Sequence, residues 1–383
     1  MNYRILFILH LPPPVHGASM VGSFFKGSKL INSTFDTSYI NLATATTLNQ
    51  IGKADSNKMF KFIKLLSKVI MSLGKKRFDL CYMTLSATGP AFYKDLFVVV
   101  ILKLFKKKII YHFHNKGIEL NSQRKLSKLL YRFAFRNTKS ILLSPFLYYD
   151  IKSYVKEEDV YYLPNAIPNN NEIINAVVPR AQENKHPVQL LFLSNMMSEK
   201  GVFVLIEACT VLKDRKLDFE CNFVGDWSDV TEDEFNKQVL KLGVSKFITC
   251  HGKKYGDDKT YFLKTADIFV FPTFYHYECF PLVLLEAMQF ALPVVSTFEG
   301  GIKDIVLEGK TGFLVPQRNV ELLAERLELL IQYPQTRRLM GLAGKFRFEE
   351  LFTIQKFEQN AIRIFENALQ KKNYDLSCNC IIK

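Results

Sequence analysis

Short, unbroken apolar runs recur along this chain with helical patterns between them, and that alternation restricts the fold more than any other feature. YRILFIL (3–9), FDLCYM (78–83), KKIIYHFH (107–114) and SILLS (140–144) have the length and the β-branched or aromatic content of buried strands. KMFKFIKLLSKVIMSL (58–73) and RKLSKLLYRFAFRN (124–137) carry helical spacing between them. A Pro- and Asn-rich stretch, YYLPNAIPNNNEI (161–173), breaks the rhythm and reads as a linker. Alternation then resumes. VQLLFLS (188–194), DFECNFVG (218–225), FITCHG (247–252), DIFVFPT (267–273) and LPVVSTF (292–298) are strand candidates, and GVFVLIEACTVLK (201–213) is a helix.

A chain of this kind folds as two doubly wound α/β domains, expected over 1–165 and 170–345. The last long helical pattern, RFEELFTIQKFEQNAIRIFENALQ (347–370), has nothing left to pair with locally. The segment about 350–372 is therefore expected to cross back to the first domain. Ligands of such sheets bind outside the carboxyl ends of the strands, so the site is expected in a cleft between the two domains.

Composition narrows the function classes. With 48% hydrophobic and 13% aromatic residues over 383 positions, the chain can bury large cores and is not disordered. Seven cysteines are scattered without a C-x-x-C pair, which suggests neither a zinc site nor a disulfide framework and fits a reducing compartment. The N-terminal apolar run is too short for a secretory signal, and LFVVVIL (96–102) is far below the ~20 residues that span a bilayer.

Charge is unevenly placed. Residues 1–165 hold 25 Lys and Arg against 9 Asp and Glu, whereas the remainder holds 26 against 28. The first half therefore suits an anionic partner. Lys58, Lys61, Lys64 and Lys68 fall on one helical stripe beside a broad apolar face, and KLFKKKII (103–110) adds four more lysines. One reading is a sheet-packed helix with its lysines in water; the other is a surface that docks on anionic lipid, and both can hold together. No nucleic-acid recognition motif is visible, so a membrane surface is the expected partner and nucleic acid is not. The terminal CNCIIK ends in Lys and reads as a tail, not a prenylation signal. The expected location is cytoplasmic, peripheral on the inner face of the membrane.

The stretch ECFPLVLLEAMQ (278–289) concentrates the chemistry. Pro281 is expected as the first helical residue, where its missing N–H is no loss. The N–H groups of Leu282 and Val283 then face an anion at the positive end of the helix. Glu278 precedes that turn, and Glu286 lies eight positions on, among apolar residues, where a carboxylate needs a partner. Each acid alone also reads as an ordinary surface charge. SNMMSEKGV (194–202) ends a strand and opens a helix, placing Lys200 for a phosphate and Gly201 for close backbone approach; it also reads as a plain αβ turn. EGGIKDI (299–305) is a second Gly-rich strand-to-helix turn whose N–H groups are candidates for the same cleft.

Glu, seven residues and Glu, set in ECFPLVLLEAMQFALPVVST, resembles the signature of the retaining nucleotide-sugar glycosyltransferases of family 4, the glycosyl transferases group 1, which have the two-Rossmann GT-B fold. EKGVFVLIEA, HGKKYGDD, ADIFVFPT, GGIKDIVLEGKTGFLV and LPNAIP follow that family's order across the second half. In the first half the resemblance rests on PPPVHGAS and YHFHNKG alone. It implies a donor nucleotide-sugar, of the UDP type by prevalence, on the second domain and a lipid-linked or other saccharide acceptor on the first.

By the same resemblance, Glu286 binds the ribose, Glu278 the transferred sugar, and the backbone of Phe280, Pro281 and Leu282 adds sugar contacts. Lys200 clamps the diphosphate as the glycosidic bond breaks. Asn195 stands where family members often carry Arg, so it offers a hydrogen bond without charge. Gly17 matches a flexible loop near the diphosphate, and His114 a histidine near the reacting carbon. His112 is expected to turn to the other face of its strand and pack. No cofactor and no metal is implied, and GDD (256–258) is expected as a loop. Two rivals share the fold: a soluble sugar-nucleotide epimerase and a non-catalytic partner in a glycan-assembly complex.

Overall fold

The computed structural model describes residues 3–13, 17–43, 56–169 and 187–370. His16, the Lys58 side chain, the Asn cluster beyond Asn169 and the CNCIIK tail lie outside the described residues. The chain divides into two compact units, one formed by residues up to Asn165 with the segment from Ile354, the other by Ala166–Thr353.

The first unit holds six parallel strands: β1 (Arg4–Leu9), β2 (Asp36–Asn41), β3 (Leu80–Thr84), β4 (Ile109–His112), β5 (Lys139–Leu142) and β6 (Val160–Tyr162), in the order β2-β1-β3-β4-β5-β6. Its helices are α1 (Gly17–Gly27), α2 (Lys29–Thr34), α3 (Ser56–Lys75), α4 (Gly89–Leu104), α5 (Ile118–Asn121) and α6 (Lys125–Phe135). Parallel strands need crossovers, and these are right-handed. The reversal of direction after β2 therefore puts α1 and α2 on one face of the sheet and α3, α4 and α6 on the other.

The second unit repeats the design with β7 (Val188–Leu193), β8 (Phe219–Val224), β9 (Ile248–Cys250), β10 (Ile268–Phe271), β11 (Val294–Thr297) and β12 (Gly312–Val315), in the order β12-β11-β10-β7-β8-β9. Its helices are α7 (Val202–Asp214), α8 (Glu232–Lys241), α9 (Gly256–Thr265), α10 (Leu282–Gln289), α11 (Ile302–Ile305), α12 (Val320–Gln332) and α13 (Pro334–Leu351). The last helix, α14 (Ile354–Leu369), packs on the first unit's sheet. Its Phe365 ring lies 5.6 Å from Phe7 and 5.8 Å from Tyr82, and Lys108 Nζ donates to Leu369 O at 3.1 Å.

Three strands depart from the expected list. β2, DTSYIN, is an edge strand with mostly polar residues, so it shows no apolar run. β6 occupies the start of the stretch read as linker and pairs with β5. β12 opens with Gly312, where a Cβ would meet Val294 O at 1.9 Å, so only glycine lets the two strands approach there. The GDD triplet is the first turn of α9, not a loop. No helix among the described residues is long and apolar enough to cross a membrane.

Candidate functional site

In the second unit the site grows from the turn after β7. Asn195 is exposed there, and its carbonyl accepts the Met197 N–H at 2.8 Å. A single 3-10 turn, Ser198–Lys200, leads to Gly201 at φ +90°, which opens α7. A Cβ on Gly201 would stand 2.3 Å from Pro272 O, just past β10. Glycine is required twice over at this position, by conformation and by space. The tight contact brings Lys200 against the β10 end.

Lys200 Nζ is ion-paired with Glu278 and lies 4.4 Å above the Tyr275 ring and 5.5 Å from that of Phe271. Both charged side chains are largely buried, at 14% and 11% exposure. Burial, then the nearby Glu278 carboxylate, pushes the Tyr275 phenol up, so it stays protonated at neutral pH. An ammonium has three donors, and Glu278 takes one. Charge, aromatic backing and spare donors together suit an anion such as a diphosphate.

The backbone of Glu278 is held from two sides. Its N–H donates to Tyr275 O at 2.9 Å, and Gly301 N–H donates to Cys279 O at 2.7 Å. Gly300, at φ +53°, leaves no room for a Cβ, which would meet Glu278 O at 2.3 Å. Gly300 N–H itself donates to Glu299 Oε1, and Glu299 Oε2 accepts from Gln317. The amides of this Gly-rich turn are thus engaged within the protein, and the turn clamps the Glu278 segment in place of offering an anion nest.

Pro281 is the N-cap of α10, at φ −69° and ψ 120°, and Leu282 is the first helical residue, one position later than expected. The Leu282 and Val283 N–H groups remain at the first turn, where no carbonyl four back lies within the helix. The Phe280 side chain is core, packed edge-on against Phe352 at 5.7 Å. Glu286 sits one turn in. Its Oε1 accepts from Lys259 Nζ at 2.8 Å, and its Oε2 is buried with no hydrogen-bond partner among the described residues. A buried acceptor of this kind is a place for a ligand hydroxyl.

In the first unit, Gly17 begins α1 and a Cβ there would meet nothing within 4 Å. Gly22, a turn and a half later, is the tight one, with a Cβ position 2.0 Å from His10 O. His114 follows β4 and is half-buried. His112 does not turn away from it. Residues two apart in an extended segment share a face, and the two rings lie 4.2 Å apart. His112 Nδ1 is 2.7 Å from Tyr82 Oη. Burial, then the neighbouring His114, holds His112 well below the usual imidazole range, and burial holds the Tyr82 phenol well above its own. Both are neutral at pH 7.

The structure brings Lys200, Glu278 and the α10 start together, with Glu286 in the same helix. Sequence reasoning missed Lys259, and took Glu299 only as the start of the Gly-rich turn. Lys259 follows GDD, and its i, i+3 neighbours on α9 carried no hint of a contact 27 residues away. Among the described residues no group of His, Cys, Asp and Glu could hold a metal ion.

Residues 176–346 match the family model described as glycosyl transferases group 1. The D-inositol 3-phosphate glycosyltransferase of Arthrobacter sp. is 31% identical over 157 residues, 40% of this chain and 37% of that protein. The amylovoran biosynthesis glycosyltransferase AmsK of Erwinia amylovora is 30% identical over 150 residues, 38% of this chain and 36% of that protein. The chain thus spans little more than a third of these relatives' length. Anabaena Alr3699/HepE, solved in complex with UDP, shares the fold with a TM-score of 0.71 at 16% identity, covering 95% of this chain and 100% of its own. The architecture is α/β, in two units of the GT-B kind, and the second unit is similar to the glycosyl transferases group 1 family over residues 176–346.

Proposed function

We propose that this chain is a retaining glycosyltransferase. It moves a sugar from a nucleotide-sugar donor, of the UDP type, to a lipid-linked or otherwise membrane-held saccharide in surface polysaccharide assembly. The observation that carries the reading is Glu286: one carboxylate oxygen is held by Lys259 and the other is buried with no hydrogen-bond partner among the described residues, eight residues after a Glu278 paired with Lys200. That arrangement supplies an acceptor for ribose hydroxyls on α10 and, through the Lys200 held against Glu278 just ahead of that helix, a cation for a diphosphate.

In this reading Lys200 neutralises the diphosphate leaving group as the glycosidic bond breaks, with the α10 first-turn amides as further donors. Glu278 holds the transferred sugar, with the backbone of Phe280, Pro281 and Leu282 beside it. Asn195 adds an uncharged hydrogen bond. On the first unit, His114 and the open Gly17 turn serve the sugar and diphosphate. Attack comes from the leaving-group face, and the donor phosphate takes the acceptor's proton, so neither a metal nor a cofactor is needed. The relatives are named for amylovoran and inositol-phosphate glycosyl transfer, which supports a carbohydrate or polyol acceptor. The basic first half supports work at the cytoplasmic face of an anionic membrane.

A screen of UDP- and GDP-sugars by thermal shift, on wild type and Glu286→Ala, tests the reading. One nucleotide sugar should raise the melting temperature of wild type and not of the variant. No response to any nucleotide sugar overturns it.

A further inference from the structure

The outer layer formed by α3, α4 and α6 is the most unusual surface of the first unit. α3 packs against α4, and α4 against α6, with the Phe62 and Phe97 rings 5.7 Å apart and Lys103 Nζ 2.6 Å from Arg136 O. α4 is apolar over most of its circumference, with Lys94, Asp95 and Lys103 as its only charged residues. Its inward side, Phe92, Val98, Val99 and Leu102, is buried on the sheet. Its outward side repeats at helical spacing as Tyr93, Phe97, Val100 and Leu104, the last 74% exposed.

The flanking helices do the same. α3 exposes Met59, Phe60, Ile63, Ile70 and Met71, and α6 exposes Leu126, Leu129 and Phe133. Single exposed apolar side chains need no explanation, but a row across three neighbouring helices does.

Charge indicates the occupant. Exposed Lys61, Lys64 and Lys68 border the apolar strip of α3, and exposed Lys125, Lys128 and Arg132 border that of α6. No Asp or Glu occurs on α3 or α6, and the only one on α4, Asp95, is buried. Protein interfaces deplete lysine, whereas long cationic chains beside apolar ones fit lipid headgroups over acyl chains.

We infer that the α3–α4–α6 face inserts its apolar side chains into an anionic lipid bilayer, with α4 central and the lysines and arginines at headgroup level. Insertion deepens the membrane placement proposed above and rests on it. It predicts a hold that survives salt, because buried apolar area is not screened as surface charge is.

Flotation of the full chain with vesicles of phosphatidylcholine and phosphatidylglycerol tests this, at about 0.1 M and about 1 M NaCl, where the Debye length falls from ~10 Å to ~3 Å. Wild type should float at both salts, and Phe97→Ser/Leu104→Ser/Leu129→Ser should lose about tenfold or more of its partitioning at high salt. Complete release of wild type at high salt overturns insertion, as does unchanged flotation of the triple variant. So does a wild-type dimer in light scattering that the triple variant makes monomeric, since a second copy would then cover the face. Phe97→Trp should be quenched by bromolipid, while wild type, whose single Trp227 lies in the other unit, should not; an unquenched Phe97→Trp also overturns it. The triple variant should keep the wild-type thermal response to nucleotide sugar. A chain that answers the sugar but never floats refutes insertion alone, and one that floats without answering refutes the donor site alone.

Discussion

Lys259 Nζ, from the first turn of α9, stands 2.8 Å from Glu286 Oε1 in α10, and the two side chains are 31% and 22% exposed. The contact fixes one oxygen of a carboxylate whose neighbours on its helix face, Leu282, Val283, Gln289 and Phe290, offer no second charge. Partial exposure limits its value to about 1 kcal/mol. Lys259→Met should therefore lower the melting temperature by roughly 2–4 °C. Adding Glu286→Gln should cost little more, giving a coupling of about 1 kcal/mol in a double-mutant cycle by urea unfolding. Additive effects would show that the pair is not formed in solution.

Two site glycines should behave oppositely. Gly201 combines φ +90° with a Cβ position 2.3 Å from Pro272 O, so Gly201→Ala should destabilise by about 2 kcal/mol or more. Gly17 has open space around it, and Gly17→Ala should change stability by less than about 0.5 kcal/mol. Denaturant midpoints measured side by side check both. A neutral Gly201→Ala would mean that the α7 start does not press on the β10 end.

The alternation of apolar runs made most of the two sheets legible, because strands buried on both faces read as continuous Val, Ile, Leu and Phe. It fails where burial is one-sided or the backbone is the contact. β2 is polar because it lies at an edge, and β12 is marked by a glycine whose reason is the carbonyl of Val294 across the ladder. Glu278, Glu286 and Lys200 stood out as charges within apolar segments. The partner of Glu286 did not, since Lys259 reaches it through packing that no local spacing encodes. The outward row of α4 was equally hidden: its sequence is apolar over most of its circumference, and only the fold leaves one side uncovered.

Stability should fall on acidification through His112. Its folded pKa lies well below the ordinary 6.5, so below pH 6.5 the unfolded chain binds a proton that the folded chain refuses. The contribution is complete above pH 6.5 and is lost as pH falls toward the depressed value, at up to about 1.4 kcal/mol per pH unit. His112→Asn should flatten the slope between pH 6.5 and 5 relative to wild type in urea titrations. Parallel slopes would mean that His112 titrates normally and is not sealed in the core.

Lys200 and Glu278 separate stability from chemistry. Removing one member of so enclosed a pair strands the other, so Lys200→Met should cost about 3 kcal/mol. Replacing both, as Lys200→Met/Glu278→Leu, removes the stranded charge and should return stability to within about 1 kcal/mol of wild type. Transfer should not return with it. In the proposed reaction, charge developing on a leaving diphosphate would then meet no Lys200 ammonium, and the rate should stay down by about a hundredfold or more in both variants. Single-turnover transfer measured on the refolded double variant decides the matter. If stability and transfer recover together, the pair is a structural brace and the leaving group is stabilised elsewhere; if only stability recovers, the pair is retained for the reaction.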